Sequence, residues 1–450
     1  MKLFHPSITA ALLLLLPSAP AWAQLGGSPR VFYDIPLGTY PGIMKQERGV
    51  APGIASGTHA GFYIRFAEDI SNLCAKYEDG PNSPQFRLNC FATQGAFDSL
   101  KRLRTEDEVQ LAIVQSDLSL YAKLFGSPLP VGSTKPRSEE QRIQASWKEI
   151  GENIRTIMPL YEEKIHILVR PSDKGVNFRE LADLFEKQAD VNIGTLGSGG
   201  YVTCTLLKQL WSSRLGPNDG NTWREEYEDS GTALERLIDP SSGLDAVILI
   251  GGVPFPALEK FSVEVIKKKT KSSLVTDLFT GNQIVPQLAL LEFGDKMGKV
   301  IDDSKMFRGY LPATIRTDDY SFLQLEKDPI KTRATIACLV THAKYNDKAT
   351  NESHKIKWVR HIVYRTLSRL RSNSTYGLVD DFGVPLAGSK WLDTARLLQA
   401  VNGNEGLLNW EYSFGFPQHD DVILKEMLRS WGSGLPGGTS TKVIDPDKQF

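Results

Sequence analysis

The sequence predicts an α/β protein built on parallel sheets. Three observations predict it. Short apolar strand patterns alternate with amphipathic helix patterns from about residue 53 onward. Several of those strands stop abruptly at polar or glycine-rich turns that lead into helices. The chain, at 450 residues, is also long enough for two domains of roughly 100–200 residues each.

The N-terminus reads as a segment for export rather than for folding. Met1 and Lys2 give a positive start, Ile8 to Leu16 an apolar core, and Ala21-Trp22-Ala23 the small residues of a cleavage site before Gln24. That core is about half the ~20 residues needed to cross a bilayer. Residues 1–23 are therefore expected to be a signal peptide, and the mature protein soluble and periplasmic. Residues 24–52, rich in Gly and Pro, form an irregular arm.

The alternation then begins. Phe62, Ile64, Phe66, Ile70 and Leu73 follow helical spacing. Strands are expected at 86–93 and 109–114, with a helix at 96–103 between them. Residues 154–160 and 164–170 read as two strands, and 177–188 as an amphipathic helix. A strand at 191–195 leads into the glycine-rich turn Gly194-Thr195-Leu196-Gly197-Ser198-Gly199-Gly200 and a helix from about Gly200. Further strands are expected at 244–250 and 335–340, and helices at 256–265 and 356–370. The last 75 or so residues are mostly polar, with one helix expected at 421–431. Residues 432–450 have too little apolar surface to fold and read as disordered.

Composition excludes several functions. With 52 basic against 53 acidic residues, no global field favours nucleic acid or a membrane surface. The four cysteines, Cys74, Cys90, Cys204 and Cys338, lack the paired spacing of a zinc site. In an exported chain they suggest disulfides, and Cys74 with Cys90 is the preferred pair because a loop of about fifteen residues closes easily.

The glycine turn could face a phosphate, an oxyanion or a carboxylate. A hydrolase elbow needs Gly-x-Ser-x-Gly, but Leu196 stands where the first glycine belongs. A dinucleotide turn needs G-x-G-x-x-G, and a phosphate loop needs Gly-Lys-Ser/Thr; neither is present. What remains is a helix start whose free N–H groups and positive dipole end favour an anion. Three other strand ends repeat the pattern: Ser56-Gly57-Thr58, Thr93-Gln94-Gly95 and Gln115-Ser116-Asp117. In open α/β sheets ligands sit at the carboxyl ends of strands. No nucleophile with a base beside it and no metal set stands out, so the chain reads as a binding protein, with no catalytic residue, cofactor or metal.

The order of these motifs resembles the TAXI family, the extracytoplasmic solute-binding proteins of tripartite ATP-independent periplasmic (TRAP) transporters. The resemblance rests on GTHAGFYIRFAEDISNL, FATQGAFDSLKRL, VQLAIVQSDL, IRTIMPLYEEKIHILVR, FRELADLFEKQADVNIGTLGSGG, LDAVILIGGVPFPALEKF and YLPATIRTDDYSFLQ, in the family's order. It implies a two-lobed periplasmic-binding-protein fold of type II, each lobe a mainly parallel sheet flanked by helices, joined by hinge strands. Lobe I would comprise 53–163, completed by 340–375, and lobe II 164–335. An extension, 376–431, would follow.

The resemblance also implies a small organic anion, an amino acid such as glutamate or another carboxylate, held between the lobes and delivered to TRAP membrane subunits. The same fold without transport would serve a membrane sensor. Carried over residue by residue, the ligand set is Thr58, His59, Tyr63, Thr93, Gln94, Gln115, Ser116, Asp117, Ser198, Gly199, Gly200 and Tyr201. This sequence departs from the family at His59-Ala60, at Ala96 and at Gly200, the last two replacing hydroxyl donors.

Overall fold

A computed structural model describes residues 34–36, 52–58, 61–75, 85–125, 147, 149, 152–171, 178–215, 222–260, 288–304, 309–320, 323–325, 328–345, 353–372, 393–394, 396–398, 417–422, 424–425 and 427–428. The expected signal peptide and the 432–450 tail lie outside these residues. So does the arm at 24–52, apart from 34–36 and Pro52.

Strand β1 (Asp34–Pro36) pairs with β3 (Gln85–Arg87) as a small separate ribbon. The first lobe is built from β2 (Gly53–Ser56), α1 (Phe62–Ala75), β4 (Asn89–Ala92), α2 (Ala96–Thr105), β5 (Leu111–Gln115) and α3 (Leu118–Leu124). Its strands run parallel in the order β4-β2-β5. All five residues of β5 are buried, which explains why it reads as an unbroken apolar run rather than an alternation. Helix α1 forms because Phe66, Ala67, Ile70 and Cys74 recur on one buried face.

The second lobe repeats the plan. It uses α4 (Leu181–Glu186), β7 (Asp190–Asn192), α5 (Gly199–Leu215), β8 (Arg224–Glu226), α6 (Ser230–Ile238) and β9 (Ala246–Gly251), with parallel strands in the order β8-β7-β9. Asp229 caps α6, its carboxylate accepting from the backbone N–H groups of Gly231 and Thr232. Strand β10 (Ala289–Leu290), α7 (Asp295–Asp303), β11 (Leu311–Ile315) and β12 (Gln324–Leu325) complete this half. Phe185, Trp211 and Trp223 stack within it, the Trp211 and Trp223 ring centroids lying 5.1 and 4.0 Å from that of Phe185.

Two long strands join the halves. β6 (Ile154–Val169) and β13 (Ile330–His342) are antiparallel partners from Ala334↔Lys164 to His342↔Ile154. The C-terminal half of β6 pairs with β9, the C-terminal half of β13 with β5, and the start of β13 with β11. Each long strand therefore leaves one lobe and finishes in the other. This is an α/β fold of two lobes, parallel within each lobe and antiparallel where the shared strands cross. Helix α8 (Ser353–Ser372) returns to pack on α1.

Three expectations change. The two strands expected at 154–160 and 164–170 are one continuous β6. The helix expected over 177–188 is confined to Leu181–Glu186. The expected Cys74–Cys90 disulfide is absent, both being free thiols along with Cys204 and Cys338. The Cys74 thiol turns toward α8 instead, donating to the carbonyl of Ile362 at 3.6 Å, while Cys90 sits on β4 with its ionisation pushed up by burial.

The polar C-terminal region contributes to the core as well. Leu397, Leu398, Leu424, Met427 and Leu428 are buried, and Pro417 to His419 hydrogen-bond to both sides of Thr156 on β6. The segment is fastened by a buried pair in which both guanidinium Nε and Nη2 of Arg360 on α8 donate to Asp421. Removing one partner of such a pair strands a buried charge. Asp421→Asn is expected to lower the unfolding free energy by about 3–5 kcal/mol in chemical denaturation. An unchanged midpoint would show that the segment does not contribute to the fold.

Candidate functional site

The four polar turns lie at the carboxyl ends of β2, β4, β5 and β7. Three of them meet across the seam between the lobes, those after β4 and β5 against the one after β7. A Cβ on Gly95, at the start of α2, would lie 2.9 Å from the carbonyl of Gly197. A Cβ on Gly199, the first residue of α5, would lie 2.1 Å from Oε1 of Gln115, so a side chain there would displace the Gln115 amide. Glycine at 199 is what lets the second lobe's backbone rest on the first lobe's strand end.

Asp117 is the centre of the seam. It stands at the N-terminus of α3, where an aspartate ordinarily caps its own helix, yet its side chain makes no cap. Its Oδ2 instead accepts from two hydroxyls of the second lobe, Thr203 on α5 at 2.7 Å and Tyr310 at 3.0 Å. Gln115 Nε2 lies 3.5 Å from the same Thr203 hydroxyl. Gln115 and Asp117 are 1% and 0% exposed, and the Oε1 of one and the Oδ1 of the other have no hydrogen-bond partner. Burial pushes the Asp117 carboxyl up to about 6, against the pull of its two hydroxyl donors.

A second buried acid sits on the hinge. Glu163 of β6 accepts from Tyr63 at 2.6 Å and lies 3.5 Å from the Tyr161 hydroxyl. Its carboxyl is pushed up to about 8, first by burial and then by the nearby Asp117. The neighbours of Glu163 on the strand, Glu162 and Lys164, alternate to the other face and line a polar groove of about 860 Å³ with Asp302, Thr314 and Arg333. Tyr121 of α3 donates to the hydroxyl of Tyr201 on α5 at 3.2 Å, closing the lobes at a third point.

The remaining expected site residues divide by environment. Ser116 is buried and serves the hinge, its hydroxyl 2.8 Å from that of Thr335 and accepting from the Ile336 backbone N–H. The Thr93 hydroxyl donates to the Ser56 carbonyl and lies 2.8 Å from that of Ser99, tying two strand ends together. Ser198 caps α5, accepting from the Tyr201 backbone N–H at 3.2 Å. Gly200 packs against the carbonyl of Ile193. Thr58 and Gln94 are exposed, and His59 lies outside the described residues. The structure thus gathers Tyr63, Gln115, Asp117, Gly199 and Tyr201 at the seam, and uses Thr93, Ser116 and Ser198 to hold the turns.

Sequence reasoning missed Glu163, Thr203 and Tyr310. Glu163 had a signal, a charged triplet inside an apolar strand. Thr203 follows Gly199 by one helical turn and so shares its face. Tyr310 had none. His166 and Arg170 are structural: His166 is held by the Lys164 carbonyl and the Tyr320 hydroxyl, each at 2.9 Å, and Arg170 donates to the carbonyls of Asp239 and Leu244. Among the described residues no group of acids, histidines and cysteines could hold a metal ion, and no helix is long and apolar enough to cross a membrane.

No protein-family profile matches the chain, and no curated protein does. Solved structures are similar at the level of fold. A periplasmic transporter structure is 10% identical with a TM-score of 0.35, over 77% of this chain and 92% of that one. The Candida albicans CA3427 gene product, described as having the generic periplasmic binding protein fold, is 10% identical with a TM-score of 0.36, over 87% and 92%. Lactococcal OpuAC, closed on glycine betaine, is 8% identical with a TM-score of 0.31, over 79% and 97%. Likeness of this degree leaves the function to be argued from the chain's own geometry.

Two outcomes are expected at the site. Glu163, with its ordinary value of 4.5 raised to about 8, keeps a proton in the folded chain that the unfolded chain releases, so stability is full below pH 4.5 and falls as pH rises through 8. Asp117 adds the same sign between 3.8 and about 6. The melting temperature should therefore drop from pH 5 to pH 9, and Glu163→Gln should flatten that slope; parallel slopes would remove Glu163 as the cause. Separately, Ser198→Ala should cost about 1 kcal/mol of stability through the lost cap, read by urea unfolding.

Proposed function

We propose that the protein is an exported solute-binding protein. It captures a small organic anion, an amino acid or another carboxylate, between its lobes and delivers it to a TRAP-type membrane transporter as a TAXI-like subunit. The observation that carries this reading is the seam itself: strand-end turns from both lobes converge there, and Asp117 of one lobe is bonded to Thr203 and Tyr310 of the other.

The physical logic is that of closure. A ligand touched by both lobes makes its full set of contacts only when they are together, so it shifts the equilibrium toward the closed form. The start of α5 supports an anion as cargo, because the first N–H groups of a helix have no partner within it and its dipole end is positive. A micromolar site needs about 8 kcal/mol, and a few charge-assisted hydrogen bonds at roughly 1.5–3 kcal/mol each supply much of that. The Ala21-Trp22-Ala23 cleavage pattern supports export, and ordered motifs support the transporter pairing.

Melting curves recorded with a panel of organic acids and amino acids test the reading. At least one compound is expected to raise the midpoint by several degrees through preferential binding to the folded chain. Flat curves across the panel would count against solute capture. Mature protein beginning at Gln24, recovered from the periplasm, is the expected product of export.

A further inference from the structure

We propose that the C-terminal segment is an acid-released strap on the shared strand β6, held while the His419 imidazole is neutral and let go when it is protonated. The inference stands apart from solute capture and concerns a device built into the fold.

The strap covers an edge of β6 that β9 leaves. Strand β13 takes one edge of β6 from Ile154 to Lys164, and β9 takes the other from Lys164 to Val169. Ahead of β9, that second edge is met at Thr156. Its N–H donates to the Pro417 carbonyl at 2.9 Å, and its carbonyl accepts from the His419 N–H at 3.0 Å. The Thr394 hydroxyl adds a bond to the Leu160 carbonyl. Leu424, Met427 and Leu428 join the core beyond this contact, and Arg360 of α8 grips Asp421. The segment is thus bonded to a strand that belongs to both lobes.

His419 sits in the middle of this contact, 2% exposed. Its Nδ1 accepts from the Asp421 N–H at 3.1 Å, so the neutral ring carries its proton on Nε2. A second proton has to go on Nδ1, which turns that bond into two donors facing each other in a buried place. The nearby acids offer no new acceptor. Asp421 Oδ1 already accepts from Arg360 Nε and the Leu424 N–H, and its Oδ2 from Arg360 Nη2, while Asp420 is exposed. From β6, Arg155 opposes a positive ring, and the turn after β13 presents the Tyr345 backbone. Burial outweighs the pull of Asp421 and holds the imidazole below its ordinary 6.5.

The sign follows from linkage. A group whose folded value is depressed gives docking that is complete above pH 6.5 and weakens as pH falls through it. Glu163 and Asp117, raised by burial, favour the fold in acid and so act in the opposite direction. Acid therefore loosens the strap under conditions that strengthen the seam, which separates its release from general acid unfolding.

Amide hydrogen exchange on the full mature chain, corrected for the intrinsic rate at each pH, reads the strap through the Thr156 and His419 N–H groups. From pH 8 to pH 5 their protection is expected to fall about tenfold, with Leu111–Gln115 of β5 unaffected. His419→Asn puts an acceptor near the place of Nδ1 without a titrating group, and should keep Thr156 protected across that range. Constant protection in the wild type, an equal fall in the variant, or a fall shared with β5 overturns the proposal. If the variant does not dock at pH 8, His342→Asn and His361→Asn decide. A fall kept in both assigns it to His419, and a fall lost in either overturns the proposal.

Discussion

The pairing of β6 with β13 is the constraint on which the rest of the molecule depends. Each strand belongs to both lobes, so the two sheets are extensions of one central ladder rather than separate units tethered by loops. The ladder is irregular where it matters. Its register shifts between Ala337 and Cys338, and again between Leu339 and Val340. Pro159, opposite Cys338, has no N–H to give a ladder, and proline in an interior strand is tolerated at such irregularities. A bulge increases twist and re-aims side chains. Here the irregular stretch, Ala337 to Val340, is the same stretch of β13 that pairs with β5, and it begins two residues beyond the Thr335↔Glu163 pair, so the hinge also carries the strand end that bears Gln115.

That coincidence explains why polar groups are buried at the centre of an otherwise apolar core. Ser116 holds Thr335 and Ile336, Glu163 takes Tyr63 and Tyr161, and Asp117 reaches across to Thr203 and Tyr310. Uncharged residues would pack there at lower cost, since burying a carboxyl without a cation is unfavourable. The retained acids instead tie the shared strands and the two lobes together through hydroxyl partners from both.

Much of the fold was legible because its elements are locally unambiguous. The buried strands Leu111–Gln115 and Ala246–Gly251 are short apolar runs between turns, and helix α8 shows clear periodicity. The hinge was harder. Pro159 and the charged triplet Glu162-Glu163-Lys164 interrupt the apolar pattern and suggest two strands, yet β6 continues because each charge has a place. Glu163 is paired inward, while Lys164 donates to the Thr314 carbonyl. The disulfide failed for a related reason: spacing along the chain is silent about direction, and Cys74 faces α8. Polar residues at the turns were visible in the sequence, but not their division of labour. Thr93, Ser116 and Ser198 look like ligand donors and are spent on the scaffold.

The same division bears on what the site selects. Expecting an anion from turns rich in hydroxyls and amides counts donors without asking which remain free. Once the turns have folded, the hydroxyls of Thr93, Ser116 and Ser198 are consumed internally, and the buried side-chain atoms left without a partner at these strand ends are Oε1 of Gln115, Oδ1 of Asp117 and Nδ2 of Asn192. What a binding site recognises is set by the valences left over after its own structure is complete. Among the described residues the leftover valences are two acceptors at the end of β5 and one amide donor, Nδ2 of Asn192, at the end of β7.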